Sequence, residues 1–182
     1  MMNKILTILM GTLLFVSSAF AAENRNTCTS YLDEIAKNLS RIENIIPNIP
    51  PEEIKFLEKE YGAIFGEGEK RFDSSKDKRF LTLLERPYYF AWVLREKLDK
   101  AKDLLGSNQN LPIDATLKIQ IRTSAYLPYL LANVSTEWGK YTDNRSGDIT
   151  VKQAYEGTGA ATSLNGIYGR FISCIADKLD HR

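Results

Sequence analysis

Arg79–Leu105 reads RFLTLLERPYYFAWVLREKLDKAKDLL, and the way this stretch folds decides what the rest of the chain can do. Phe80, Leu83, Leu84, Pro87, Ala91, Leu94, Leu98, Ala101 and Leu105 recur three or four residues apart. That spacing lays one apolar face along a helix and not a strand. From Tyr88 to Val93 the other faces are apolar too, and a helix that is hydrophobic all round is sheathed by other helices. Pro87 lacks an amide hydrogen and crowds the preceding turn, which predicts a kink or break near Arg86. Beyond Arg95 the charges alternate, with Glu96 and Lys100 spaced to pair at i, i+4. The segment from Phe80 to Leu94 is therefore expected to be central and the charged half to project to the surface. Tyr88, Tyr89 and Trp92 form the candidate binding cluster should a groove open onto them, although aromatics at helical spacing more often fill cores.

Upstream, Tyr31, Leu32, Ile35, Leu39, Ile42 and Ile45 predict a first helix with Thr29 or Ser30 as its N-cap, ended by Pro47. Pro51 suits the first turn of a second helix, and Glu52 and Glu53 suit the positive end of its dipole. That helix runs through Ile54, Leu57, Tyr61 and Ile64 to about Phe65. Gly66 to Lys78, GEGEKRFDSSKDK, is a polar connector. It holds one formal catalytic match, Ser75-x-x-Lys78, the pattern of penicillin-binding proteins and serine β-lactamases. No K-T-G follows it, and a serine at this place suits helix capping.

Downstream, Leu117, Ile119 and Ile121 alternate with Lys118, Gln120 and Arg122 in strand fashion, while Leu117, Ile121 and Ala125 fit a helix. A helix is favoured, since no second strand exists to pair with it. It continues through Tyr126, Leu130, Leu131 and Val134 to Trp138, with Pro128 as a kink. Thr142–Gln153 follows an EF-hand loop in part, with Asn144, Ser146, Gly147 and Ile149 in register. It lacks the aspartate and glutamate at its two ends, which leaves an ordinary turn as the reading for this loop. The final helix steps through Leu164, Ile167, Phe171, Ile175 and Leu179. The glycines before and within it, Gly157, Gly159, Gly166 and Gly169, are expected to permit close approach to a neighbour. Gly157-x-Gly159 is also a weak candidate for cradling an anion.

The termini set the compartment. Lys4, the apolar run Ile5–Val16 and Ala19-Phe20-Ala21 make a secretory signal peptide over residues 1–21, cleaved to leave one helical domain over 22–182. No cysteine stands at the cleavage site, so no lipid anchor is expected, and no later run is long enough for a transmembrane helix. The expected location is the periplasm or the medium. There the two cysteines, Cys28 and Cys174, are expected to form a disulfide between the first and last helices. The leader removes only Lys4 from 24 basic side chains, against 23 acidic ones. A neutral mature chain carries no electrostatic footprint for nucleic acid.

The fold expected is therefore all-α, a bundle of about five helices. Its only histidine is His181, which leaves Ser-His, Cys-His and histidine-ligated metal chemistry without a carrier, and no cofactor or metal is expected. Two function classes remain. One is an exported protein that acts by binding a protein partner, as toxin-neutralising immunity proteins and envelope or secretion accessory factors do. The other is a small cell-wall-active glycosidase using a glutamate, with Glu67 and Glu69 as the candidate carboxylates.

Overall fold

The computed structural model describes residues 28–66, 78–109, 126–144 and 149–180. Within them the chain forms six helices and no strand. These are α1 (28–43), α2 (Pro51–Phe65), α3 (Lys78–Leu84), α4 (Tyr89–Gln109), α5 (Tyr126–Asp143) and α6 (Val151–Asp180). The fold is an all-α bundle in which α5 packs against both α4 and α6, while α2 and α3 pack against each other and against the start of α4. The leader at 1–21 and the segment Leu117–Arg122 lie outside the described residues.

Cys28, at the start of α1, is bonded to Cys174 in α6 across a sequence separation of 146, their Cα atoms 5.8 Å apart. The first and last helices are thereby joined covalently. Two ion pairs fix α1 further, Glu43 with Lys102 of α4 and Glu34 with Arg170 of α6 at 4.0 Å. The apolar stripe of α1 is accordingly closed off, with Ile35, Leu39 and Ile42 fully buried. Thr29 and Ser30 lie within the first turn of α1 and do not precede it.

The stretch 79–105 is two helices, not one. Glu85 and Arg86 still donate to Leu81 and Leu83, and then the ladder stops. Pro87 has no N–H to continue it, and α4 restarts at Tyr89, which donates to the Arg86 carbonyl at 3.2 Å. Tyr89–Leu94 is buried on every face, as expected, and the rest of the stretch departs from expectation. In α3 only Leu83 is buried, while Leu81 and Leu84 face solvent; in α4 the charged half buries Leu98, Ala101 and Leu105 completely or nearly so. A single apolar residue per turn suffices there, because α5 packs along α4 and α1 reaches it through the Glu43–Lys102 pair. Glu96 and Lys100 do not pair, whereas Lys102 reaches Glu43 on α1.

The break at Pro87 is held by a contact between residues 33 apart in sequence. Arg86 donates through Nε to Glu53 Oε1 at 2.7 Å and through its terminal nitrogen to Glu53 Oε2. The guanidinium also lies 4.7 Å over the ring of Phe56. Glu53 thus serves α2 as more than a first-turn acid. Its side chain is 10% exposed and that of Arg86 is 39% exposed, so the two truncations are not equivalent. Arg86→Ala strands a carboxylate away from water and should cost about 2–3 kcal/mol. Glu53→Ala leaves a cation that water can solvate and should cost about 1 kcal/mol. Urea unfolding of the two variants measures the difference, and equal losses would mean that burial of the carboxylate does not set the cost.

Two further elements depart from the sequence reading. Pro128 lies two residues after Tyr126, the first described residue of α5, and the chain is helical from there to Asp143 without a break. α6 begins at Val151, because Thr150 and Gln153 form a reciprocal cap. Thr150 N donates to Gln153 Oε1 at 2.8 Å, and Gln153 N donates to Thr150 Oγ1 at 3.2 Å. Gly157, Gly159, Gly166 and Gly169 are therefore all interior to one long helix. Of these only Gly157 makes a close approach, to Trp138, while Gly159 and Gly169 face open space and Gly166 nearly so.

Candidate functional site

Tyr88, Tyr89 and Trp92 stand at the start of α4, where the break at Pro87 turns the chain back against α2. They are part of the core. Tyr89 and Trp92 are 6% and 5% exposed and Tyr88 is partly buried, so the open stacking platform is not formed. Their spacing does bring the three together, but the side they present is inward. Trp92 meets Tyr61 of α2 edge-on at 5.2 Å, and Tyr61 lies 4.4 Å from Phe65. Phe65 meets Phe80 of α3 at 6.0 Å, and Phe80 meets Tyr89 at 6.5 Å. This chain of rings locks α2, α3 and α4 together, each edge contact adding to the area it buries.

On the outer side the same rings border a surface. Phe65, Leu81 and Leu84 are exposed, and so are Tyr126 at 65% and Tyr129 at 61% on the first turn of α5. The last two rings stand 6.1 Å apart, edge to face. Tyr129 is near enough to Tyr61 to act on its phenol electrostatically. Tyr126 and Tyr129 thus form an exposed aromatic pair on α5, while Phe65, Leu81 and Leu84 are the exposed apolar side chains of α2 and α3. Tyr126 is thus not part of the buried stripe of α5, contrary to the sequence expectation. The stripe is Leu127, Leu130, Leu131, Val134, Trp138 and Tyr141, and Tyr126 and Tyr129 fall one residue to its side, a signal that the helical wheel carries.

A cleft of about 240 Å³ lies between α2 and α4, lined by Glu58, Tyr61, Trp92, Glu96, Lys97 and Lys100 among others. The Tyr61 phenol is half-buried, and its pKa is raised by loss of solvent and then by the carboxylates of Glu137 and Glu96 and by Tyr129. Glu137 is held by Lys140 at 2.8 Å. Among the described residues the indole N–H of Trp92 has no hydrogen-bond partner.

Burial pushes the Tyr89 phenol up to about 12, with Tyr61 and Glu137 adding to it, and burial pushes Tyr168 of α6 up to about 12 as well. A raised folded value for an acid means that the neutral form is favoured on folding. That contribution is whole below the unfolded value of about 10 and is lost as pH rises toward the folded one. Stability should therefore fall between about pH 10 and pH 12. In Tyr89→Phe that fall should be shallower by about 2 kcal/mol. Urea midpoints of the two proteins at about pH 9 and about pH 11.5 test this, and parallel slopes would show that Tyr89 is not the group concerned.

A second, wider groove of about 1000 Å³ runs between the end of α1 and the start of α6, past Arg41, Asn44, Gln153, Tyr155, Glu156 and Ser163. Gly157 and Gly159, the weak anion cradle, lie inside α6 with their amides in the helix ladder, so they make no nest. In the loop compared with an EF-hand, Thr142 donates to the Gly139 carbonyl and Gln153 is spent on the α6 cap, which removes both ends of the proposed ligand set. Among the described residues no group of three or more histidine, cysteine, aspartate or glutamate side chains is placed to hold a metal ion. Glu67, Glu69 and Ser75 lie outside the described residues; Lys78 opens α3. Among the described residues no helix is long and apolar enough to cross a membrane. No protein-family model, curated protein or solved structure matches this chain.

Proposed function

We propose that this chain is an exported protein that acts by binding a protein partner, and that the exposed pair Tyr126 and Tyr129 is the centre of its contact surface. The observation that carries the reading is the paired exposure of Tyr126 and Tyr129. Two large rings held in water at the start of a helix are costly in a chain that could bury them, and tyrosine is among the residues that dominate binding energy at interfaces. The disulfide is consistent with an oxidising compartment. Proteins of this build that work by occupying another protein include inhibitors of toxins and accessory factors of the cell envelope.

The test is a photo-crosslinking residue placed at position 129 and, for comparison, at Tyr155 on α6, in the full-length protein expressed in its own cells. One discrete protein adduct is expected from position 129 in the extracytoplasmic fraction, and it should weaken at least tenfold, the effect of losing about 1.4 kcal/mol, when Tyr126→Ala is added. No discrete adduct at 129, or an adduct insensitive to Tyr126→Ala, would end the proposal for this face.

A further inference from the structure

The bond from Cys28 to Cys174 and the pair of Glu34 with Arg170 set α1 antiparallel to α6. The two helices differ in length. α1, over residues 28–43, rises about 24 Å, and α6, with 30 residues, rises about 45 Å. α6 therefore runs on past the end of α1, and the step between them is the groove of about 1000 Å³. That volume lies at the top of the roughly 300–1,000 Å³ of sites that take small ligands. Gly159 lines the groove, with nothing within 4 Å of the place a Cβ would take. A side chain at 159 would stand in the groove, and the helix forgoes up to about 1 kcal/mol by carrying glycine there instead of alanine.

The lining is polar and nearly without charge. Among its described residues only Arg41 and Glu156 are charged, one of each sign, and Glu156 is held by Lys152 at 3.8 Å. An ionic ligand finds no field of one sign there. Ile45 and Ala160 are buried, so they open no pocket for an apolar side chain or a lipid tail. Tyr155 is 82% exposed at the same groove. Thr158 and Ser163 donate to carbonyls of their own helix, and Gln153 is spent on the α6 cap. Arg41, Asn44 and Thr162 make no side-chain hydrogen bond or ion pair among the described residues. A guanidinium, an amide and a hydroxyl thus stand ready beside one uncovered ring.

We propose that this groove binds an uncharged oligosaccharide, with one sugar ring stacked on Tyr155 and its hydroxyls bonded to Arg41, Asn44 and Thr162. A sugar has the two kinds of surface that this lining asks for. Its C–H face covers the face of an aromatic ring, which carries partial negative charge. Its rim of hydroxyls donates and accepts, as do the amide of Asn44 and the hydroxyl of Thr162, while Arg41 donates. A β-1,4-linked, gluco-configured chain fits best, since its equatorial substituents leave flat C–H faces. Hydrolysis of such a chain ordinarily takes two carboxylates at the scissile bond, and the described lining holds one, so the groove binds and does not cleave. None of that lining is on α5, so the site is separate from the tyrosine pair proposed to meet a protein.

The test is a ¹H–¹⁵N titration of the mature, disulfide-bonded protein with N-acetylchitotetraose and with cellotetraose, and with doubly blocked tetraalanine as the peptide control. At least one of the sugars should bind saturably with a Kd at or below about 1 mM. It should move the amides of Tyr155, Gly159 and Thr162 and the side-chain amide of Asn44, and leave those of Tyr126 and Tyr129 in place. Gly159→Gln puts a long side chain into the groove at an open position, and Tyr155→Ala removes an exposed ring. Each should raise the Kd at least tenfold, with a urea midpoint no lower than that of the parent for Gly159→Gln. Tyr155→Ala alone decides the matter if Gly159→Gln loses its fold. No response to either sugar up to about 10 mM, an equal response to the alanine peptide, or unchanged affinity in a folded variant overturns the inference.

Discussion

Alanine at position 157 is expected to destabilise the protein by about 3 kcal/mol, although alanine inside a helix is ordinarily favoured over glycine by up to about 1 kcal/mol. The contradiction comes from one ring. A Cβ on Gly157 would stand 1.6 Å from Cζ2 of Trp138, 2.2 Å from Cε2 and 2.5 Å from Cη2. No pair of unbonded atoms tolerates that, so either the indole or the backbone of α6 must shift. The indole has little room, being 1% exposed and 5.4 Å from the ring of Tyr141. A rigid bicyclic side chain in a filled core cannot give way as the end of a lysine can. α6 must then lift from α5, which loosens the contacts of Ala160, Ala161 and Leu164 along the same face.

Two controls separate this steric cause from helix propensity. Gly159→Ala is two residues on in the same helix, with nothing within 4 Å of the added Cβ, and should stabilise the protein by up to about 1 kcal/mol. Trp138→Phe replaces the indole with a smaller ring and leaves space where the new methyl would go. Adding Gly157→Ala to Trp138→Phe should therefore cost less than the two single losses together, with a coupling of about 1–2 kcal/mol. Guanidinium unfolding of the four proteins measures all the terms. A neutral or stabilising Gly157→Ala would mean that α6 does not seat on the indole at this point.

Gly157 and Trp138 also mark where a residue-by-residue reading of the chain stops. Four glycines in the last segment look alike on paper, and one of them matters to packing, because the neighbour that selects Gly157 is on another helix. The same holds for Arg86 and Glu53, whose pairing depends on the turn at Pro87 bringing residues 33 apart in sequence together. The break itself is legible, since it comes from what proline lacks. The burial of Tyr89–Leu94 is legible as well, from residues apolar on every face, whereas the exposure of α3 and the burial of the charged half are not. Density of apolar residues favours Phe80 to Leu94, but a helix between two neighbours needs only the narrow stripe of Leu98, Ala101 and Leu105, while α3 lies at the edge.

Other features are present in the sequence but compete there with a second pattern. Thr150-x-x-Gln153 is the pattern of a capping box, yet the same glutamine falls at the last position of a defective calcium loop. Tyr126 falls in step with Leu130 and Val134, although the full set of Leu127, Leu130, Leu131, Val134 and Trp138 leaves it, with Tyr129, to one side. The candidate surface depends on that distinction. The aromatic run at Tyr88 to Trp92 is recognisable as a cluster, and only the positions of α2 and α3 decide that it faces the core.

Replacing both cysteines by alanine is expected to lower stability by about 5 kcal/mol, since the bond closes a loop of 146 residues and the entropy it denies the unfolded chain grows with loop length. In a protein of this size that corresponds to a fall in Tm of about 10–20 °C. The loss should lie mainly in the unfolded state. The native contacts of α1 do not depend on the bond alone, because Ile35, Leu39 and Ile42 remain buried and Glu34 and Glu43 keep their cations on α6 and α4. An unfolded chain released from the crosslink exposes more surface, so the denaturant slope should rise as the midpoint falls. The helical circular dichroism of the folded variant should be unchanged. The alternative is that the bond acts on the native state by holding α1 against α6. In that case the slope stays constant, and amides of α1 exchange faster than those of α4 and α5 under native conditions. Observing that pattern would mean that the covalent tie, and not the buried stripe, keeps the first helix in the bundle.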